Sequence, residues 1–389
     1  MKKWIAILIG IVIFGALCSG GYKIIQNEKT AEQNRSDSIA NFPEEINYES
    51  EHLKVQCKLD IPEGFDMDDL KEATAQTVIL SDYDDKIYSS FSKQIKGTEY
   101  TEDEIYDDEG IKGTQKLWKK IDQKTHTTKM LNLYVSSMYY MTVGYLKCSL
   151  GSESLRTDEQ ENAYQTYPDG YKENSHMFLG DLSFATRKKA ENELTNMFNQ
   201  WGFQGKFDYE SFGVSKDLVK QQYCYVKSDG SYETEISKKE LKNFEDYYQL
   251  YGRQTFQGLP VFYYSGNGGI YREQCPIKAA VTVNGIEYLE LQRIFGFREK
   301  NKKIDTFASV DQILETIKNR YEEIVSENSF EITKGGLYYY AKGNGNKKDF
   351  DMVPVWCFVV KERDRQESQI YESIFLINAE TGKEMAYEP

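Results

Sequence analysis

The chain has 389 residues, a net charge of −14, and 40% hydrophobic against 28% charged residues. That balance belongs to a folded chain rather than a disordered one, and the length suggests two or three domains. The acidic surplus, with no basic stretch interleaved with aromatics, argues against a nucleic-acid partner, whose phosphates demand a basic footprint.

Lys2 and Lys3 open the chain, an apolar run follows from Trp4 to Cys18, and then come Ser19, Gly20, Gly21 and Tyr22. As a helix, residues 4–22 reach about 28 Å, close to the hydrocarbon thickness of a bilayer. Trp4 and Tyr22 stand at the two ends, where an aromatic belt would put them. Three readings compete. One is an uncleaved signal anchor. Another is a lipoprotein signal with Cys18 lipidated, although Leu17 stands where a small residue is expected. The last is a secretion signal cleaved near Gly20. All three place the folded part outside the cytoplasm, and the first two hold it at the cell membrane. Residues 23–46 are polar and non-periodic, as a flexible tether would be.

An N-terminal α+β region is expected over 47–180. Leu53, Val55, Cys57, Leu59 and Ile61 alternate as one face of a strand, which makes Cys57 a buried free thiol. Pro62-Glu63-Gly64 turns the chain, and "DMDDLKEATAQTVI" predicts a helix with acidic residues in its first turn. Asp82, Asp84 and Asp85, then Asp107, Asp108 and Glu109, cluster hard oxygen ligands in loops and are weak calcium candidates. Their spacing matches no twelve-residue calcium loop, and a solvated acidic loop is the plainer account. "MLNLYVSSMYYMTVGYLKCSL" reads as strand.

The next region, 181–300, begins with a helix from Phe184 to Gly202, where Ala190, Leu194, Met197, Phe198 and Trp201 make one apolar stripe. "FQGLPVFYYSG" reads as strand and loop. "PIKAAVTVNGIEYLELQRIFGF" reads as a hairpin with positive φ angles at Asn284-Gly285. Over 301–389 the pattern repeats. Ser309 and Gln312 form a capping box ahead of a helix with Val310, Ile313, Leu314, Ile317, Tyr321 and Ile324 on one side. Three strands follow, the last turning at Asn378–Gly382 so that Lys383–Tyr387 runs back as a short strand. The expected fold class is therefore α+β: antiparallel sheets each covered by a helix, in two tandem modules after the N-terminal region and the anchor.

The capped helix, then "VPVWCF", then "IFLINAETGKEM" resembles the end of PepSY-like modules and of YycI-type regulators of Gram-positive bacteria, where a strand closes with an Asn/Asp-Ala-x-Thr-Gly turn. "YGRQTFQGLPVFYY" resembles the matching strand of a preceding module. With its N-terminal anchor and "VQCKLDIPEGF", the whole chain is similar to a clostridial (Firmicutes) family of membrane-anchored or lipid-anchored proteins without an assigned function. The resemblance covers 180–389 and, more weakly, 47–150. It implies an extracytoplasmic, non-enzymatic protein: PepSY-like domains restrain peptidases or wall hydrolases, and YycI-like proteins modulate a membrane histidine kinase. These families offer no catalytic residues to carry over, and the extra N-terminal region of about a hundred residues departs from their pattern.

The residues themselves assemble no chemistry. His52, His126 and His176 have no local nucleophile signature. Ser90-Phe91-Ser92-Lys93 matches Ser-x-x-Lys without the companion motifs of that family. Cys57, Cys148, Cys224, Cys275 and Cys357 are odd in number and wrongly spaced for zinc. The glycine loops "SGNGGIYRE" and "AKGNGNKKDFD" open no helix and read as hairpin connections, not phosphate cradles. Neither cofactor nor metal is expected. Three functions remain in play. A protein-binding regulator of a sensor kinase or envelope enzyme predicts exposed sheet edges or Tyr-rich patches, although structural strands are the plainer account of the 30 Tyr residues. A surface hydrolase predicts a cleft with converging carboxylates. A calcium-dependent or solute-binding surface protein predicts that the two acidic clusters meet.

Overall fold

A computed structural model describes residues 43, 45–63, 65–66, 70–107, 110–122, 127–144, 178–217, 225–226, 232–233, 245–267, 270–273, 275–322, 328–345, 348–363 and 370–386. The chain starts with β1 (Glu45–Glu49), β2 (Leu53–Asp60) and β3 (Lys71–Thr77), then a 3-10 turn (Leu80–Tyr83) and α1 (Asp84–Phe91). A meander follows: β4 (Glu99–Tyr106), β5 (Lys112–Asp122), β6 (Thr127–Tyr134) and β7 (Ser137–Gly144). Next come α2 (Arg187–Trp201), β8 (Lys206–Val214), β9 (Tyr225–Val226), β10 (Tyr232–Glu233), β11 (Tyr247–Phe256) and β12 (Leu259–Phe262). β13 (Tyr264–Asn267), β14 (Ile270–Glu273), β15 (Ile277–Thr282), β16 (Gly285–Gln292) and β17 (Phe295–Lys303) lead to α3 (Val310–Tyr321). β18 (Ser329–Gly343), β19 (Asp349–Arg363) and β20 (Ile370–Asn378) complete the order.

The α+β expectation is overturned: the protein is mostly β, with a single 16-stranded mixed sheet. Its main path runs β17-β3-β19-β18-β12-β11-β15-β16-β7-β6-β5-β4. Separate antiparallel sheets do not form, because N-terminal strands insert among C-terminal ones and because two pairings are parallel. One edge of β18 pairs along its length with β19. Its other edge is shared by two parallel strands, β2 beside Phe330–Gly336 and β12 beside Tyr339 and Tyr340. The β11–β12 hairpin, turning at Gln257 and Gly258 with φ of 48° and 81°, carries the chain from one half of the sheet to the other. Two successive positive φ angles suit the twist of a tight hairpin.

The predicted helix over 66–79 is also corrected, for its core is β3. Ala73, Ala75 and Thr77 alternate inward while Thr74 and Gln76 face out, and β17 and β19 supply hydrogen-bonded neighbours on both edges. Tertiary pairing overrides the helical preference of Lys71-Glu72-Ala73. The long Met130–Leu150 strand divides into β6 and β7 around Val135-Ser136. In the β15–β16 turn only Gly285 takes a positive φ, 97°, and Asn284 does not. The expected return strand after Gly382 reduces to a bridge between Ile377 and Glu384.

Both longer helices form where the stripes and caps place them. Thr186 caps α2, Gly202 closes it in the left-handed region, and Ala190, Leu194, Met197, Phe198 and Trp201 are buried. Ser309 and Gln312 make the capping box of α3, whose Ile313, Ile317 and Tyr321 are buried. Each buried Leu, Ile, Met or Phe among them contributes about 1.5–3 kcal/mol on leaving water. α1 and α2 share a core with β6, β7, β8, β11, β15 and β16, and α3 shares another with β2, β3, β18, β19 and β20. Trp201 and Trp356 are core residues, as their stripe and strand suggest.

Candidate functional site

The strand order ends in β4, whose second edge has no strand beside it among the described residues. Seven of its eight residues, "EYTEDEIY", are exposed. Neither face of β4 is apolar, so the strand has no reason to enter the core, and it stays at the rim. Glu99, Glu102, Asp103 and Glu104 make it strongly acidic, with no base on the strand.

An aromatic cluster stands on this rim. The register sets Tyr100 opposite Trp118 of β5, with ring centroids 4.9 Å apart. α1 turns Ile87 and Phe91 inward, where Phe91 stacks on Tyr140 at 4.1 Å, and so presents Tyr88 outward. The Tyr88 ring also packs on Trp118, with centroids 5.4 Å apart. Trp118 is half-buried and contacts both, while Tyr88, Tyr100 and Tyr106 are 41%, 47% and 58% exposed. The Tyr100 hydroxyl donates to Glu102, and that bond pushes the phenol up to about 12, so Tyr100 remains a neutral donor across the physiological range. α1 is itself held firmly. Trp201 Nε1 donates to Ser90 Oγ at 2.9 Å, and Lys86 Nζ donates to the Trp201 carbonyl at 2.7 Å, at the negative end of α2.

The residues singled out from the sequence fall around this rim without converging. Asp84 pairs with Lys116 at the start of α1, and its Oδ1 also accepts the Asp85 N–H. Asp107 lies in the β4–β5 turn, where its Oδ1 accepts the Ile111 N–H at 2.7 Å and its Oδ2 the Ser136 hydroxyl at 3.1 Å. Asp82 belongs to the 3-10 turn. Asp108, Glu109, Cys18 and residues 4–22 lie outside the described residues. Among the described residues no group of three or more His, Cys, Asp or Glu is placed to hold a metal, and no helix is long and apolar enough to cross a membrane. Ser90 of the Ser-x-x-Lys match sits on α1 and serves Trp201. The aromatic cluster was not read from the sequence. Its signal was Tyr100, Glu102, Glu104 and Tyr106 on one face of a strand with acids on both.

A cleft of about 890 Å³ opens where β2 ends and β12 begins along β18, and β8 and β11 form its other wall. Asp208 and Glu210 line it from β8, two residues apart and therefore side by side, not facing. Burial holds the Asp208 carboxyl above its ordinary value, while Arg253, directly opposite on β11, draws it back down. The Arg253 guanidinium also lies 5.8 Å from the Tyr338 ring and 4.0 Å from Cys275 Sγ. Arg253 thus ties the two halves of the sheet together inside the cleft.

No family model matches the chain, and a search of curated proteins gives no match. Among solved structures it is similar to the crystal structure of an uncharacterised protein from Eubacterium rectale ATCC 33656. The TM-score is 0.57 at 13% identity, covering 92% of this chain and 99% of that one, a likeness of fold alone. The Bacillus megaterium YpeB C-terminal domain is a structural neighbour at 11% identity, with 80% and 98% covered and a TM-score of 0.26, too low to argue from.

Proposed function

We propose that this protein is a non-catalytic, extracytoplasmic regulator that takes an extended, basic segment of an envelope or membrane protein onto the rim of β4. The single observation that carries the reading is the open edge of β4 beside the Tyr88–Trp118–Tyr100 cluster. A strand without a second neighbour offers a row of backbone donors and acceptors to an incoming strand. The aromatic rings supply contact area at low entropic cost, and the four acids of β4 select lysine and arginine on the guest. An anchor over residues 4–22 would hold this rim near membrane partners. The resemblance of the C-terminal strands to PepSY-like and YycI-type modules agrees with a regulatory role. Partners of that kind include a sensor kinase or a wall enzyme.

Photo-crosslinking tests the reading. A crosslinker in place of Tyr106, in native membranes, is expected to capture one dominant partner protein. Glu102→Lys with Asp103→Lys is expected to abolish the adduct. Recovery of only lipid or of the chain itself, or an adduct indifferent to charge reversal, would overturn it.

A further inference from the structure

The strand order ends in β17 on one side and β4 on the other, and the outer edges of these two strands differ. On β17 side chains occupy the outward backbone groups. Gln254 holds both the N–H and the carbonyl of Phe295, each at 2.8 Å, and Gln204 Oε1 accepts the Phe297 N–H at 3.1 Å. Exposed Lys300, Lys302 and Lys303, and a register shift between Glu299 and Lys303, blunt the remainder. On β4, among the described residues, no side chain takes the backbone N–H of Tyr100, Glu102 or Glu104.

The register fixes which groups of β4 are open. The Asp107 N–H donates to the Ile111 carbonyl at 3.0 Å, one step past the Tyr106–Lys112 pair, so Asp107 turns its backbone toward β5. Antiparallel ladders alternate, so Ile105, Asp103 and Thr101 do the same, and Glu104, Glu102 and Tyr100 point their N–H and carbonyl groups outward. Side chains alternate with the same period. Tyr100, Glu102 and Glu104 therefore share the face of Trp118, and Thr101 and Asp103 take the other. The acids are unequally matched inside the sheet. Lys119 stands opposite Glu99, Lys116 stands opposite Glu102, and Glu104 pairs with Lys112 at 2.7 Å. Gln115 stands opposite Asp103, so that acid has no base across from it on β5.

On the reading of the β4 rim as the partner site, on which this rests, we infer that the guest is an antiparallel strand in one register, with lysine or arginine opposite Asp103. Guest residues facing Glu104, Glu102 and Tyr100 exchange backbone hydrogen bonds with β4. Those facing Asp103 and Thr101 turn their N–H groups to solvent. The pair at Asp103 is not hydrogen-bonded, so its Cα atoms stand only about 4.5 Å apart and its side chains come closest. A cation there meets the acid that β5 leaves unmatched. An aromatic guest residue facing Tyr100 extends the row of rings from Tyr88 and Trp118. A second copy of β4 would set acids against acids and is repelled.

Fluorescence polarisation of the whole chain in detergent, with a labelled peptide centred on Lys-Arg-Lys-Thr-Phe, tests the register. In antiparallel order these residues face Glu104, Asp103, Glu102, Thr101 and Tyr100. N-methylation of the first, third or fifth is expected to weaken binding about tenfold, as loss of a backbone hydrogen bond does, and of the second or fourth less than about twofold. Asp103→Lys is expected to bind the peptide with Glu in second place about tenfold more tightly than the one with Arg there. Loss without alternation, or alternation of the opposite phase, would overturn the register while leaving the rim a site for a basic segment. So would an Asp103→Lys variant that gains as much from Glu in first or third place. Absence of binding at about 1 mM peptide overturns it too, whereas the adduct in native membranes decides separately whether the rim takes a partner.

Discussion

Gln254 completes the ladder of Phe295 with its side chain: Nε2 donates to the Phe295 carbonyl at 2.8 Å and Oε1 accepts the Phe295 N–H at 2.8 Å. The same amide donates to the Gln204 carbonyl at 3.0 Å and accepts the Tyr263 hydroxyl at 3.0 Å. Gln254 is fully buried, and four hydrogen bonds from its side chain join β11, β17 and the exit of α2, three of them buried and the one to Gln204 half-buried. A network satisfied this completely holds its elements in a single arrangement.

Gln254→Leu keeps the size and takes the partner from three buried groups, the Phe295 N–H and carbonyl and the Tyr263 hydroxyl, and from the half-buried Gln204 carbonyl. The expected loss is about 3 kcal/mol or more, since each orphaned group costs on the order of 1–3 kcal/mol. Urea unfolding followed by fluorescence measures it. A change under about 1 kcal/mol would mean that water replaces the amide.

The terminal turn is structural. Asn378 Oδ1 accepts the N–H groups of Glu380 and Thr381 at 2.9 and 2.8 Å, and the Gly382 N–H returns to the Asn378 carbonyl at 2.9 Å. Gly382 has φ of 68°, and an added Cβ would meet Ala308 Cβ at 3.0 Å and Gln312 Cβ at 3.3 Å on the start of α3. Gly382→Ala is therefore expected to cost about 1–2 kcal/mol from the left-handed backbone, plus the crowding. Thermal unfolding should register a lower Tm. An unchanged Tm would show that the turn is not tied to α3.

Cys57 is fully buried and free, and burial pushes its thiol up to about 12. Iodoacetamide on the native protein, read by mass spectrometry of the Cys57 peptide, is expected to leave it unmodified until denaturant is added, because the thiolate is the reactive form. Labelling under native conditions would contradict the packing of β2 against Phe358 and Gly335.

Burial holds the half-buried Glu287 carboxyl above the ordinary 4.5, against hydrogen bonds from Thr282 and Asn284. The folded state keeps a proton that the unfolded chain has released. Stability from this group is complete below 4.5 and falls as pH rises through the raised value. Glu287→Gln is expected to be the more stable form at neutral pH, the difference closing as pH approaches 4.5. Urea titrations at a series of pH values check the slope, and a difference that grows on acidification reverses the sign.

On the β4 rim, Trp118→Ala is expected to weaken partner capture by tenfold or more, as the loss of a central aromatic anchor does at other interfaces. Far-ultraviolet circular dichroism should stay unchanged, because Trp118 is only half-buried. Full retention of capture would remove the aromatic cluster from the interface.

The sequence alone determined what is local. The stripes of α2 and α3, the capping box at Ser309, the inward thiol of Cys57, the hairpin strands and the final turn all follow from periods of 3.6 or 2 and from cap chemistry within a few residues. Tertiary structure decided what depends on partners far along the chain. Lys71–Thr77 is a strand because β17 and β19 flank it, more than two hundred residues away. The two expected sheets are one because β2 and β12 share an edge of β18, and the Tyr88–Trp118–Tyr100 cluster exists because a helix and two strands meet at a rim. Hydrogen bonds across a sheet edge take any residue but proline, so they leave almost no mark on the sequences they join.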